Sequence, residues 1–160
     1  MIVGVDPGAH GAFAFLSDSG ALISVHDMPS FQVRVGAKTR TRLAVAELAA
    51  LIRERSCSAS FIERVGAMPG QGVSSCFSFG YSAGAVEGVL AALGVAVNFV
   101  TPQQWKKAMQ VRADKDDCRQ RAAQLFPSHA GAFSRVKDDG RAEAAMIALY
   151  GFQSAARIAA

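Results

Sequence analysis

The sequence predicts an α/β fold: a mixed five-stranded sheet, three strands antiparallel and two parallel, flanked by helices. Two observations lead there. Three short apolar runs near the N-terminus are joined by tight turns, the layout of an antiparallel meander. Helix and strand patterns then alternate, which sets the later strands parallel to the first. Size bounds the answer. The chain has 160 residues, 51% apolar and 19% charged. That suits one domain over 1–160, burying roughly 70% of its unfolded surface.

The elements follow in order. "MIVGV" is an apolar run ending at Asp6, and "DPGAHG" is turn chemistry. "AFAFLS" is the second strand, "SDSG" turns again, and "ALISVHDM" is the third. Residues 29–41 are polar and basic without a buried periodicity, which predicts a loop. Leu43, Ala46, Leu48, Leu51 and Ile52 recur at helical spacing, predicting a helix over 42–55. "CSASFIE" is the fourth strand, ending at Glu63, and "RVGAMPGQG" is a loop. A long helix is predicted over 73–93 despite Gly80, Gly84 and Gly88, which lie four apart on one face. Each costs about 1 kcal/mol against alanine, so the stripe implies close packing, by the sheet or by a partner subunit. "VAVNFV" is the fifth strand. "TPQQWKKAM" reads as a short helix capped by Thr101. Helices follow over 114–126 and from Asp139 to about 157. There is no internal repeat and no linker long enough to divide domains.

Several classes fall away. No apolar run is long enough to span a bilayer, so no membrane partner is expected. "MIVGVDPG" lacks a signal-peptide layout, and the expectation is a soluble cytoplasmic protein. Cys57, Cys76 and Cys118 form no CxxC pair, and His10, His26 and His129 fall at no metal-ligand spacing. A zinc site or disulfide framework is not expected.

The acids carry the chemistry. Asp6 and Glu63 end the first and fourth strands. Ligands of open α/β sheets collect at such strand ends. If the first and fourth strands are neighbours, the final helix is expected to deliver Asp138, Asp139 or Glu143 to the same edge. Asp139 and Glu143 are four apart, so they share a face about 5–6 Å apart at Cβ. Clustered carboxylates repel, and a hard divalent cation, magnesium or manganese, removes that objection. Two such ions about 3.5–4 Å apart can drive phosphodiester hydrolysis. The balance of charge agrees. Seventeen Lys and Arg face thirteen Asp and Glu, a net +4. Setting four acids aside leaves a strongly basic remainder, suited to a polyanion.

"IVGVDPGAHGAFAF", "FIERV" and "KDDGRAEAAMIALYG" together resemble the RuvC-type Holliday junction resolvases, and most closely the RuvC-like resolvases of bacteriophages. The resemblance runs from Ile2 to about Gly151 and includes "MPGQGVSS" and "TPQQWKKAM". It implies a ribonuclease H-like fold and a homodimer. The expected activity is cutting of opposed strands at four-way junctions, with two Mg²⁺ ions per site and Mn²⁺ able to substitute. Products would carry 5′-phosphate and 3′-hydroxyl ends. Carried onto this chain, the ligands are Asp6, Glu63, Asp139 and Glu143, with Asp138 as the alternative to Asp139. The expected cellular setting is the cytoplasm of a bacterium or of a phage-infected host. Two departures stand out. Bacterial forms carry an aromatic residue where this chain has Gly66, and their last acid is an aspartate three residues after its partner.

Lys106 and Lys107 are candidates to hold the scissile phosphate. Arg34, Lys38, Arg40 and Arg42 are candidates to track a DNA arm, and Met68 and Gln71 to probe the branch. Trp105 reads as core, and Phe77 and Phe79 as core or dimer contacts. The alternatives are a non-catalytic branched-DNA binder, a less structure-specific nuclease for flaps and forks, and an actin-like kinase. The last needs a second, similar domain for which 160 residues leave no room.

Overall fold

The chain is described by a computed structural model covering residues 1–67, 70–112 and 114–158. Its strands are β1 (Ile2–Asp6), β2 (Ala12–Leu16), β3 (Leu22–Asp27), β4 (Ser30–Val35), β5 (Lys38–Leu43), β6 (Ala59–Glu63) and β7 (Ala96–Val100). Its helices are α1 (Val45–Glu54), α2 (Val73–Ala92), α3 (Pro102–Met109), α4 (Lys115–Leu125) and α5 (Asp139–Ile158). Short 3₁₀ segments, Pro127–Phe133 and Val136–Asp138, lead into α5.

The main sheet has five strands in the order β3-β2-β1-β6-β7. β1, β2 and β3 pair antiparallel, while β6 pairs parallel with β1 and with β7. This is the mixed sheet the sequence predicts. Strand alternation then sorts the core into two layers. Val3, Val5, Phe13, Phe15 and Ile62 face α1 and α2, where Leu48, Ile52, Val86 and Leu90 meet them. Ala12, Ala14 and Leu16 face α5 and the α3–α4 corner, with Trp105, Met109, Cys118 and the alanines of α5.

The α5 side is built from small residues, so helix and sheet backbones approach closely. A Cβ at Gly4 would lie 2.3 Å from the Ala144 carbonyl oxygen and 2.3 Å from the Ala148 nitrogen. Only glycine fits between them. One turn earlier, a Cβ at Gly140 would come within 2.9 Å of Asp6 Oδ2. The close approach therefore brings the start of α5 against the end of β1.

Two expectations need correction. Residues 29–41 are not a loop. They form most of a β4–β5 hairpin, a separate two-stranded sheet in register from Ser30↔Leu43 to Val35↔Lys38. Its two-residue loop begins with Gly36 at φ +61°, the positive value that a II′ hairpin asks of its first loop residue. Arg42 and Leu43 belong to β5, so α1 starts at Val45. The second correction concerns the glycine stripe. α2 buries Ser82, Val86 and Leu90. Gly80, Gly84 and Gly88 each precede one of these by two residues, about 200° around the helix. A Cβ at any of the three meets nothing within 4 Å. The sheet is not what lies against the stripe, and Phe77, 76% exposed, is not a core residue. Phe79 is half-buried, with Gly8 of the β1–β2 turn against its ring.

Candidate metal centre

Parallel pairing sets Val5 beside Ile62, so the next residues, Asp6 and Glu63, leave the sheet at one level. Glu143 joins them from the start of α5. One carboxylate oxygen from each of Asp6, Glu63 and Glu143 lies within 4.8 Å of the others, and all three residues are half-buried. Among the described residues this is the group that could hold one metal ion. The donors are hard oxygens from three elements, which fits magnesium or manganese.

α3 supplies the surroundings. Its N-terminus is fixed by a capping box, in which Thr101 accepts from the Gln104 N–H and Gln104 accepts from the Thr101 N–H. That aims Trp105 and Lys106 at the acids. Trp105 is fully buried, as core residues are, and its indole N–H donates to Glu63 Oε1 at 2.9 Å. The bond fixes one carboxylate oxygen while the other can face an ion. Lys106 Nζ lies 3.6 Å from Glu143 Oε1 and 5.1 Å from the Trp105 ring centre. Cys118 is buried nearby. Burial, and secondarily the charge of Glu143, push its thiol up to about 12, so it is a neutral thiol at neutral pH. Cys57 and Cys76 are half-buried free thiols.

The neighbouring aspartates part company. Asp138 is fully buried, and its carboxylate accepts from the Arg135 N–H at 2.8 Å and from Arg135 Nη2 at 2.7 Å. It closes the 3₁₀ turn before α5. The Arg135 hydrogen bond, the largest influence, holds its carboxyl below the usual aspartate value. Asp139 is the first residue of α5, and its carboxylate accepts from the Arg119 guanidinium. Arg119 also binds Asp116 and donates to the Val136 carbonyl oxygen at 3.1 Å. The structure therefore groups Asp6, Glu63 and Glu143, and sets Asp139 against Arg119.

The basic candidates spread over two places. Lys106 is at the acids and Lys107 is exposed one residue on. Lys38, Arg40 and Arg42 alternate along β5 and share a face. Arg34 pairs opposite Thr39 and belongs to the other face of the hairpin. Gln71 is half-buried just before α2, and Met68 lies outside the described residues. Sequence reasoning missed the bond from Trp105 to Glu63 and the pairing of Arg119. It also missed Arg141, which clamps Asp27 at the end of β3 through Nε at 2.5 Å and Nη2 at 2.7 Å. Trp105 had one signal, its place in a helix opened by Thr101-Pro102 just past a strand end. The two arginines had none.

No protein-family model matches this sequence, and no curated protein matches it by sequence. Solved structures do resemble it. Thermus thermophilus RuvC in complex with a Holliday junction substrate superposes with a TM-score of 0.61 at 16% identity, covering 98% of this chain and 95% of that one. The fowlpox virus Holliday junction resolvase gives 0.60 at 15%, covering 96% and 98%. The yeast mitochondrial Holliday junction resolvase gives 0.55 at 16%, covering 99% and 80%. With the strand order already described, these likenesses establish that the chain has the ribonuclease H-like fold in the form found in RuvC and other Holliday junction resolvases.

Proposed function

We propose that this chain is a metal-dependent endonuclease that resolves Holliday junctions or other branched DNA, leaving 5′-phosphate and 3′-hydroxyl ends. One observation carries the reading: Asp6, Glu63 and Glu143 converge at the end of parallel neighbours β1 and β6, in a fold shared with resolvases. In this reading Asp6, Glu63 and Glu143 hold Mg²⁺, or Mn²⁺ in its place. Asp139 is the fourth ligand for a two-ion site, reached by exchanging its contact with Arg119. Bound divalent ions would supply an activated water and stabilisation of the leaving oxygen. The protein's own part is positioning. Trp105 orients Glu63, and Lys106 offers a cation within reach of a phosphate at the acids. Lys107, Gln71, Met68 and the hairpin cations Arg34, Lys38, Arg40 and Arg42 contact the DNA. A homodimer would present two such sites, and the setting would be a bacterial or phage-infected cytoplasm.

A broader substrate range is favoured by one feature. Gly66 is exposed, and a Cβ there meets no described residue within 4 Å. The position provides no ring to stack at a branch, so flaps and forks should also be cut.

The test is cleavage of an end-labelled synthetic four-way junction with and without Mg²⁺. Wild type should cut only with the metal. Asp6→Asn should lose at least about a thousandfold in rate, on the order of 4 kcal/mol, while its junction affinity changes little. Binding without cutting in either Mg²⁺ or Mn²⁺ would leave a non-catalytic junction binder.

A further inference from the structure

The edge of β5 and the first turns of α2 border an open cleft of about 610 Å³. Lys38 and Arg40 line one wall, and Ser74, Ser75 and Ser78 line the other. Thr39 and Thr41 add two more hydroxyls, and no carboxylate of the described residues lines the space. Cations interleaved with hydroxyl donors are the side chains that contact phosphate and sugar without reading sequence.

The position of the cleft is as informative as its lining. The cleft is also lined by Ala9 and His10, in the turn that starts at Asp6. The same turn rests on α2, where a Cβ at Gly8 would lie 3.5 Å from the Phe79 ring. One short turn thus carries a carboxylate of the acid cluster at its start and a wall of the cleft at its middle. Away from the turn, the seam between β5 and α2 continues past Arg42 and becomes apolar at Val73, Phe77 and Tyr81.

We propose that this cleft seats the sugar-phosphate backbone of a DNA strand leading to the acid cluster, with Lys38, Arg40, His10, Ser74, Ser75 and Ser78 as its contacts. The proposal rests on the nuclease reading above and adds a binding site made by the hairpin and α2 together. It separates the hairpin cations by role. Lys38 and Arg40 line the cleft and supply its main phosphate contacts, whereas Arg34, on β4, is not part of its lining and adds less.

The experiment is binding of a fluorescent four-way junction in EDTA, by anisotropy, over a range of salt. The variants are Lys38→Ala/Arg40→Ala and Ser74→Glu, with Arg53→Ala on α1 as the control. The double variant should bind about tenfold or more weakly near 0.1 M salt, and its log–log salt slope should fall by about 2. Ser74→Glu places a carboxylate in the first turn of α2, where the helix dipole favours it. Its unfolding midpoint should match or exceed wild type while its DNA affinity drops about tenfold. Arg53→Ala should bind like wild type. Wild-type affinity and slope in both cleft variants would overturn the proposal, and so would a wild-type protein that binds no DNA. The nuclease reading fails separately, if wild type binds junctions through this cleft and cuts none of them in metal.

Discussion

Asp138 and Asp139 are adjacent acids with different work, and geometry separates them where spacing could not. A helix-face argument favours Asp139 because it shares a face with Glu143. It is silent on Arg119, which arrives from α4 and takes the Asp139 carboxylate. Asp138 is settled by burial. Its carboxylate is spent on Arg135, backbone and side chain, with no exposure to solvent. Asp138→Asn should therefore cost about 2–3 kcal/mol of stability through the broken charged hydrogen bonds, with cutting retained in the folded fraction. The pH dependence follows from the direction of the shift. Arg135 lowers the folded pKa of Asp138, so its contribution is complete above the unfolded value near 4. It is lost as pH falls through the depressed folded value. Urea midpoints from pH 7 to pH 2 should show a shallower acid limb in Asp138→Asn than in wild type. Parallel limbs would mean that Arg135 does not hold this carboxylate.

Legibility changes from element to element, and the reason is burial. β1, β2 and β6 are nearly fully buried and read as strands at once, because their apolar runs have no other explanation. The β4–β5 hairpin is mostly exposed on both strands, so "SFQVRV" and "KTRTRL" present no buried stripe to detect. Its surviving signals were the Gly36-Ala37 loop and the β-branched residues Val33, Val35, Thr39 and Thr41. For the same reason Asp6, Glu63 and Glu143 were legible, since strand ends and a helix start can be placed from the pattern. Arg119 and Arg141 were not, because nothing local says which acid a long side chain will reach. The hairpin's energetics follow from its shape. Two strands alone are marginal, and this pair is tied to the core chiefly at its base, by Leu43. Amide hydrogen exchange in β4 and β5 should be at least about a hundredfold faster than in β1 and β2, and junction DNA added in EDTA should slow it. Equal protection in the free protein would show that the hairpin is held by more than its base.

At the scale of the whole molecule, the proposed activity raises the question of how one edge of acids would serve a junction with two strands to cut. The answer should lie on α2, which is apolar on both sides. Its inner side is core. Its outer side exposes Val73, Phe77 and Tyr81 and carries the open stripe of Gly80, Gly84 and Gly88. Val73 and Phe77 are 86% and 76% exposed, which is costly for a monomer in water. Glycines on such a face let a second helix approach closely, so a second copy of this chain is the occupant that fits the resolvase reading. If the proposed dimer forms through this face, Phe77→Glu should shift the protein from dimer to monomer in sedimentation velocity without lowering its unfolding midpoint, because the side chain is 76% exposed. The functional consequence is a change of product rather than loss of chemistry. A dimer bound to one junction can cut both strands before release, whereas a monomer cuts one and leaves. With junction in excess, Phe77→Glu should accumulate nicked junctions that wild type converts to linear duplexes. A Phe77→Glu protein that stays dimeric and resolves junctions in paired cuts would move the interface off this face of α2.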